Sequence, residues 1–159
     1  GVSSAASDVY KRQIPVSLES SLRNGISKPV ASFVIPLCAT IHLSGSMMKL
    51  TLYAFAIVFM ANMDISTGTG LGFIFLLGIM MIAAPGVPGG AVMVAVGLLA
   101  DMMGFDDGMV ALMIAAYIAI DSVGTAANVT GDGAIAMVVD KFARDKVDTL
   151  NEEEAETAA

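Results

Sequence analysis

Apolar residues fall into four long runs, and each run carries a fault. Residues 29–61 are almost continuously apolar except for "HLSGSMMK" in the middle. As one straight helix at ~1.5 Å per residue this run would be ~50 Å long, beyond a ~30 Å hydrocarbon layer. A break at Ser44-Gly45-Ser46 is therefore predicted. Two shorter runs, 70–83 and 90–104, are joined by "APGVPGG", whose prolines and glycines end any continuous helix. That turn carries no charge, unlike most turns that emerge into water, so a re-entrant hairpin fits it better than two full spans. The last run, about 109 to 140, is again too long for one simple crossing, and Gly124 is its expected weak point.

Within the last run the polar positions are ordered. Asp121, Thr125, Asn128 and Asp132 follow one another at intervals of four, three and four residues. A helix gathers them on one narrow stripe, leaving Ala, Val, Ile and Met for its other faces. An aspartate in mid-membrane costs roughly 3 kcal/mol on insertion scales, so two on one stripe call for cations to meet them.

Composition makes the membrane setting firm. The 159 residues are 56% hydrophobic and 14% charged, against about 25% charged in soluble domains. So small a globule has too few charges to cover that much apolar surface. A net charge of -7 does not suit a nucleic-acid binder, and the single cysteine, Cys38, forms no internal disulfide. Residues 147–159, ending "NEEEAETAA", read as a solvated, disordered acidic tail. Lysines and arginines flank the apolar region, at Arg23 and Lys28 before it and at Lys141, Arg144 and Lys146 after it. The connections 62–69 and 101–108 have aspartates but no Lys or Arg, so the basic ends are expected on the cytoplasmic side. The chain opens on Gly and reads as the C-terminal part of something longer. Residues 8–13, "DVYKRQ", are what GATGTGTATAAGAGACAG encodes, a DNA that resembles a transposon end used in sequencing libraries. They read as an artefact rather than as native sequence.

Irregular backbone at membrane depth is tolerated only where protein buries it or where it lines a cavity. Two interrupted helices, a Pro-Gly tip and a polar stripe near the midplane form the pattern of a secondary transporter's binding site. With these residues in view, the chain resembles the C-terminal transport core of the dicarboxylate/amino acid:cation symporters, the glutamate-transporter family. "SSAAS…IPVSLE" looks like the tip and second arm of that family's first hairpin. "ISKPVASFVIPLCATIHLSGS" is similar to its broken seventh span, "APGVPGG" to the tip of its second hairpin, and "DSVGTAANVTGD" to the binding segment of its last span.

The resemblance implies an all-α membrane protein with two re-entrant helical hairpins, the first partial, and two broken transmembrane helices. Its parts would be the first hairpin at 1–27, a broken span at 28–62, the second hairpin or gate at 68–105, and a last broken span at 106–146. It implies symport of an amino acid with sodium, by alternating access, in a multi-pass protein of the plasma (bacterial inner) membrane. The full-length parent would be a homotrimer. Asp121 would hold a substrate amino group, and Thr125 and Asn128 its carboxylate. Ser3, Ser4, Gly86 and Val87 would close over it from the hairpin tips. Asp132, with carbonyls around Cys38, Thr40, His42 and Asn128, would bind sodium, a hard cation suited to oxygen donors.

Departures from the family pattern carry information too. Dicarboxylate carriers place an arginine where this chain has Gly124, and the alternative arginine position holds Val2. With no guanidinium for a second carboxylate, a neutral amino acid is the expected substrate, and an acidic amino acid or dicarboxylate the alternative. The family's Asn-Met-Asp-Gly-Thr becomes His42-Leu43-Ser44-Gly45-Ser46, which removes an acidic ligand. Lys49, seven residues beyond His42, sits at membrane depth. Either residue is a candidate to carry a coupling proton or, for Lys49, to stand in for a sodium ion; the plainer readings are a hydrogen-bonded core histidine and a paired or snorkelling lysine.

Three readings rival the carrier. The stripe as interhelical glue suits Asn and Thr better than Asp. "VTGDG" faintly resembles the Gly-x-Gly-Asp of intramembrane aspartyl proteases, but Val129 replaces the first glycine. Asp121 and Asp132 also lie ~16 Å apart along one helix, whereas a dyad must share a proton at close range. No enzyme is expected. A membrane remnant that binds without carrying is the third.

Overall fold

The computed structural model describes residues 13–84 and 89–157, and among them every regular element is helical. Helix α1 spans Ile14–Arg23 with Pro15 in its first turn, where the missing N–H costs nothing. It stops at Asn24-Gly25. Gly25 adopts φ +82°, and the amides of Gly25 and Ile26 turn back onto the Leu22 and Ser21 carbonyls. Helix α2, Lys28–Ile41, and helix α3, Ser44–Met60, follow almost end to end. Together Lys28–Met60 is one apolar span of 33 residues.

Helix α4, Thr67–Met80, is capped by Ser66, whose hydroxyl accepts from the Thr69 amide at 3.0 Å. A short 3-10 turn, Met81–Ala83, ends it. Helix α5 runs Gly90–Asp101. At ~1.5 Å per residue α4 and α5 are about 21 and 18 Å long, each short of a ~30 Å layer. Helix α6, Asp107–Ala119, is capped by Asp106 on the Met109 amide, and helix α7 runs from Asp121 to Thr157. Between α6 and α7 the chain bends by 64°.

Two apolar clusters organise these helices. One joins α3 to α6, through Leu50, Phe73, Leu77, Val92, Leu99, Met113 and Tyr117. The other joins α1, α2 and α7, through Ile14, Val30, Ile35, Cys38, Ala136 and Val147. Each interrupted helix therefore has one half in each cluster: α2 and α7 in the second, α3 and α6 in the first. The interruptions meet where the clusters abut. Outside, Phe33, Phe59, Phe75 and Phe142 stay between 68% and 84% exposed, a surface suited to lipid or further protein rather than to water.

Two local expectations change. The first break falls at His42-Leu43, and Ser44 already begins α3. The reason lies in another helix: the side chain of Asn128 caps the Gly45 and Ser46 amides, so the glycine serves as helix start rather than as gap. The second break is at Ile120, four residues before Gly124, which stays helical. Helix α7 extends through Thr157 in a stretch rich in Glu and Ala, both strong helix formers, with no Gly or Pro after Gly133. The first hairpin's tip and the artefact segment fall largely in residues 1–12, and the second tip in 85–88, all outside the described residues.

Candidate substrate and cation site

The polar stripe of α7 faces the α2–α3 break at three levels. At the first, Lys49 Nζ lies 3.3 Å from Asp121 Oδ1. It also donates to the Tyr117 and Ile120 carbonyls at 3.1 and 3.3 Å, and sits 3.6 Å from the centre of the Tyr117 ring. These carbonyls belong to the broken end of α6, whose last turn has no intrahelical donors of its own. A cation there also meets the negative end of the α6 dipole. Lys49 is thus both the partner of Asp121 and the cap of the second break.

At the second level Asn128 is buried, and its Oδ1 accepts from the amides of Gly45 at 2.8 Å and Ser46 at 3.3 Å. Its Nδ2 donates to Ser46 Oγ at 3.1 Å. The amide side chain is committed to the first turn of α3. At the third level His42 Nδ1 lies 2.8 Å from Oδ1 of the buried Asp132. The imidazole packs on bare backbone: a β-carbon on Gly131 would come within 2.6 Å of His42 Cε1. Asp132 Oδ2 takes no hydrogen bond among the described residues.

Close approach of the two helices is what makes these contacts reach. A β-carbon on Gly45 would lie 2.5 Å from both the Ala127 β-carbon and the Gly124 carbonyl oxygen. Gly124 in turn leaves room for the lysine, since a β-carbon there would stand 3.2 Å from Lys49 Nζ.

Other expected residues are placed less tightly. Thr125 is exposed and its hydroxyl donates to the Asp121 carbonyl one turn back. Thr40 is exposed and donates to the Leu37 carbonyl. Cys38 is buried, and its carbonyl accepts the His42 amide at 2.8 Å. Ser3, Ser4, Gly86 and Val87 lie outside the described residues.

One polar cluster escaped the sequence reading. Asp140 is buried at the end of the apolar stretch, where Oδ1 accepts from the amide and hydroxyl of Ser27 and Oδ2 from Arg144 at 2.9 Å. It joins α7 to the start of α2. The i,i+4 spacing of Asp140 and Arg144 was visible, but nothing local pointed to Ser27, 113 residues away.

Apolar helices interrupted midway, with buried polar groups at the breaks, are what a helical membrane protein places around an internal site. Residues 3–142 match the family model described as the sodium:dicarboxylate symporter family, and the chain belongs to that family. Searches of curated proteins and of solved structures return no match. Members of the family are transporters, so the protein is a membrane transport protein and not an enzyme. The protease rival also fails on geometry, since Asp121 and Asp132 face Lys49 and His42 rather than one another.

Proposed function

We propose that this chain forms the substrate- and ion-binding core of a secondary active carrier that moves a small carboxylate solute, an amino acid or a dicarboxylate, together with sodium. The observation that carries the reading is the buried seam in which Asp121, Asn128 and Asp132 of one broken helix meet the break of another. Seen against family membership, such a seam has the donors that a co-transported solute and cation need.

Sodium enters this reading as co-transported substrate. Asp132 Oδ2 and main-chain carbonyls near Cys38, Thr40, His42 and Asn128 supply hard oxygen donors. The imidazole on Oδ1 is a poor sodium ligand, so His42 restrains the carboxylate rather than completing the shell. Substrate would lie along Asp121 and Thr125, with the tips near Ser3, Ser4, Gly86 and Val87 closing over it. Helices α4 and α5 would form the re-entrant gate. Cation binding would favour the closed gate, and closure would in turn tighten the cation, as linkage requires. The carrier would be multi-pass in a plasma (bacterial inner) membrane and trimeric in its full-length form.

The expectation of a neutral substrate rested on the absence of a basic group at Gly124. It rested equally on Val2 at the alternative arginine position, and with the Lys49 ammonium beside Gly124 as a basic group the reading covers neutral and acidic solutes alike. The test is uptake into proteoliposomes by the full-length carrier under imposed sodium and pH gradients. Uptake driven by sodium supports the reading, and a proton gradient that drives it alone transfers coupling to the proton. Uptake indifferent to both gradients overturns it.

A further inference from the structure

We propose that the broken end of α6 is a site for a weakly hydrated monovalent cation, and that the Lys49 ammonium is its tethered occupant. Asp121 thereby stays neutralised while no solute is present. The site stands whichever solute is carried.

Three oxygens and a ring form the cradle. The Tyr117 and Ile120 carbonyls and Asp121 Oδ1 lie 3.1, 3.3 and 3.3 Å from Lys49 Nζ. An ammonium has three N–H donors, so each is matched to one oxygen and none is left for another partner. The Tyr117 ring closes a further side, its centre 3.6 Å from the nitrogen. A ring face attracts a cation without offering it a lone pair, which favours one that sheds its water readily. Potassium and the alkylammonium ions are of this kind.

The cradle belongs to the backbone rather than to the lysine. Two of its oxygens come from the last turn and cap of α6, the negative end of that helix. They are set by the 64° bend between α6 and α7, and a free cation would meet them as the tethered one does. The sodium donors around Asp132 lie two levels away, about 16 Å along α7, where the carboxylate meets His42 instead.

Lys49 is held to this place. Among the described residues it is the only buried lysine or arginine, at 7% exposure. Its stem passes Gly124, where a β-carbon would stand 3.3 Å from Lys49 Cε. A cleft of about 240 Å³ runs beside the stem, between Gly45, Tyr53, Ile120, Val123 and Gly124. Its apolar walls suit an alkyl chain and give a charge nothing to pair with, so the ammonium end has one polar destination.

The experiment is thermal unfolding of the purified full-length carrier in detergent, without solute or sodium, in N-methyl-D-glucamine chloride. Lys49→Ala deletes the atoms of n-propylammonium, so that ion would restore stem and charge together. The variant is expected to melt below the wild type. Added n-propylammonium or potassium chloride should recover most of the loss and saturate, as binding to the folded state requires. n-Propanol, of the same length without the charge, should recover little, and the wild type should respond to none of the three. Asp121→Asn in the Lys49→Ala background should weaken the response to either cation by at least roughly tenfold in concentration. Recovery by either cation with that dependence on Asp121 supports the proposal. Recovery by neither, equal recovery by n-propanol, or a response that ignores Asp121→Asn overturns it. If Lys49→Ala alone yields no folded protein, the Lys49→Ala/Asp121→Asn variant decides. Its folding shows that an unanswered carboxylate was the fault and supports the proposal, whereas its loss assigns Lys49 to packing and overturns it. None of these measurements involves uptake, so a failed site leaves the carrier reading in place.

Discussion

His42 Nδ1 and Asp132 Oδ1 stand 2.8 Å apart, joining the interrupted end of α2 to the middle of α7. The carboxylate is almost wholly buried while the imidazole keeps a quarter of its surface. Each therefore depends on the other differently: Asp132 needs a donor or cation to offset its desolvation, and His42 needs only an acceptor.

Asp132→Asn should raise the sodium concentration for half-maximal uptake by roughly tenfold or more, with membrane insertion unchanged. Sodium-dependence curves of the purified carrier check this, and an unaltered sodium affinity would contradict it. Gly131→Ala probes the same contact without changing either partner, since the new methyl would displace the imidazole. It should alter the sodium curve in a carrier that still binds solute.

Gly45→Ala should destabilise the protein by about 1–3 kcal/mol, because the added carbon meets a backbone oxygen and a β-carbon with no room to yield. Gly133→Ala is the matched control. Nothing lies within 4 Å of its new carbon, and helix propensity alone favours it by up to about 1 kcal/mol. Thermal unfolding in detergent separates the two.

Asn128→Ala leaves the Gly45 and Ser46 amides without an acceptor at the buried start of α3. Loss of about 1–3 kcal/mol is expected, measured without sodium so that ion binding does not enter. Equal stability would mean that the amides find another acceptor.

Asp140→Ala removes the acceptor of the Ser27 amide and hydroxyl and of Arg144 together. It should cost about 1–3 kcal/mol and raise hydrogen exchange at the start of α2, leaving substrate preference unchanged. Arg144→Ala should cost less, because the arginine side chain is 62% exposed and screened by solvent.

Much of this molecule is legible along the chain. Apolar runs of the wrong length for one crossing announced broken helices, and the interval from Asp121 to Asp132 announced one polar face. The family signature lies in short local motifs and is legible for the same reason. Even so, both breaks were misplaced by a few residues. Gly45 and Gly124 look like weak points to a reader of propensity, yet both are helical, and each serves to let a neighbouring group come close.

What periodicity determines is a face, because the pitch of a helix is local. It does not say what the face meets. Asp121 with Lys49, Asp132 with His42 and Ser27 with Asp140 are pairs separated by 72, 90 and 113 residues, and only the crossing of α7 over α2 and α3 chose them. The sequence alone thus determined a membrane chain with interrupted helices and a charged stripe. The tertiary structure decided which buried charge answers which, because the cost of desolvating a charge is settled by whatever stands beside it.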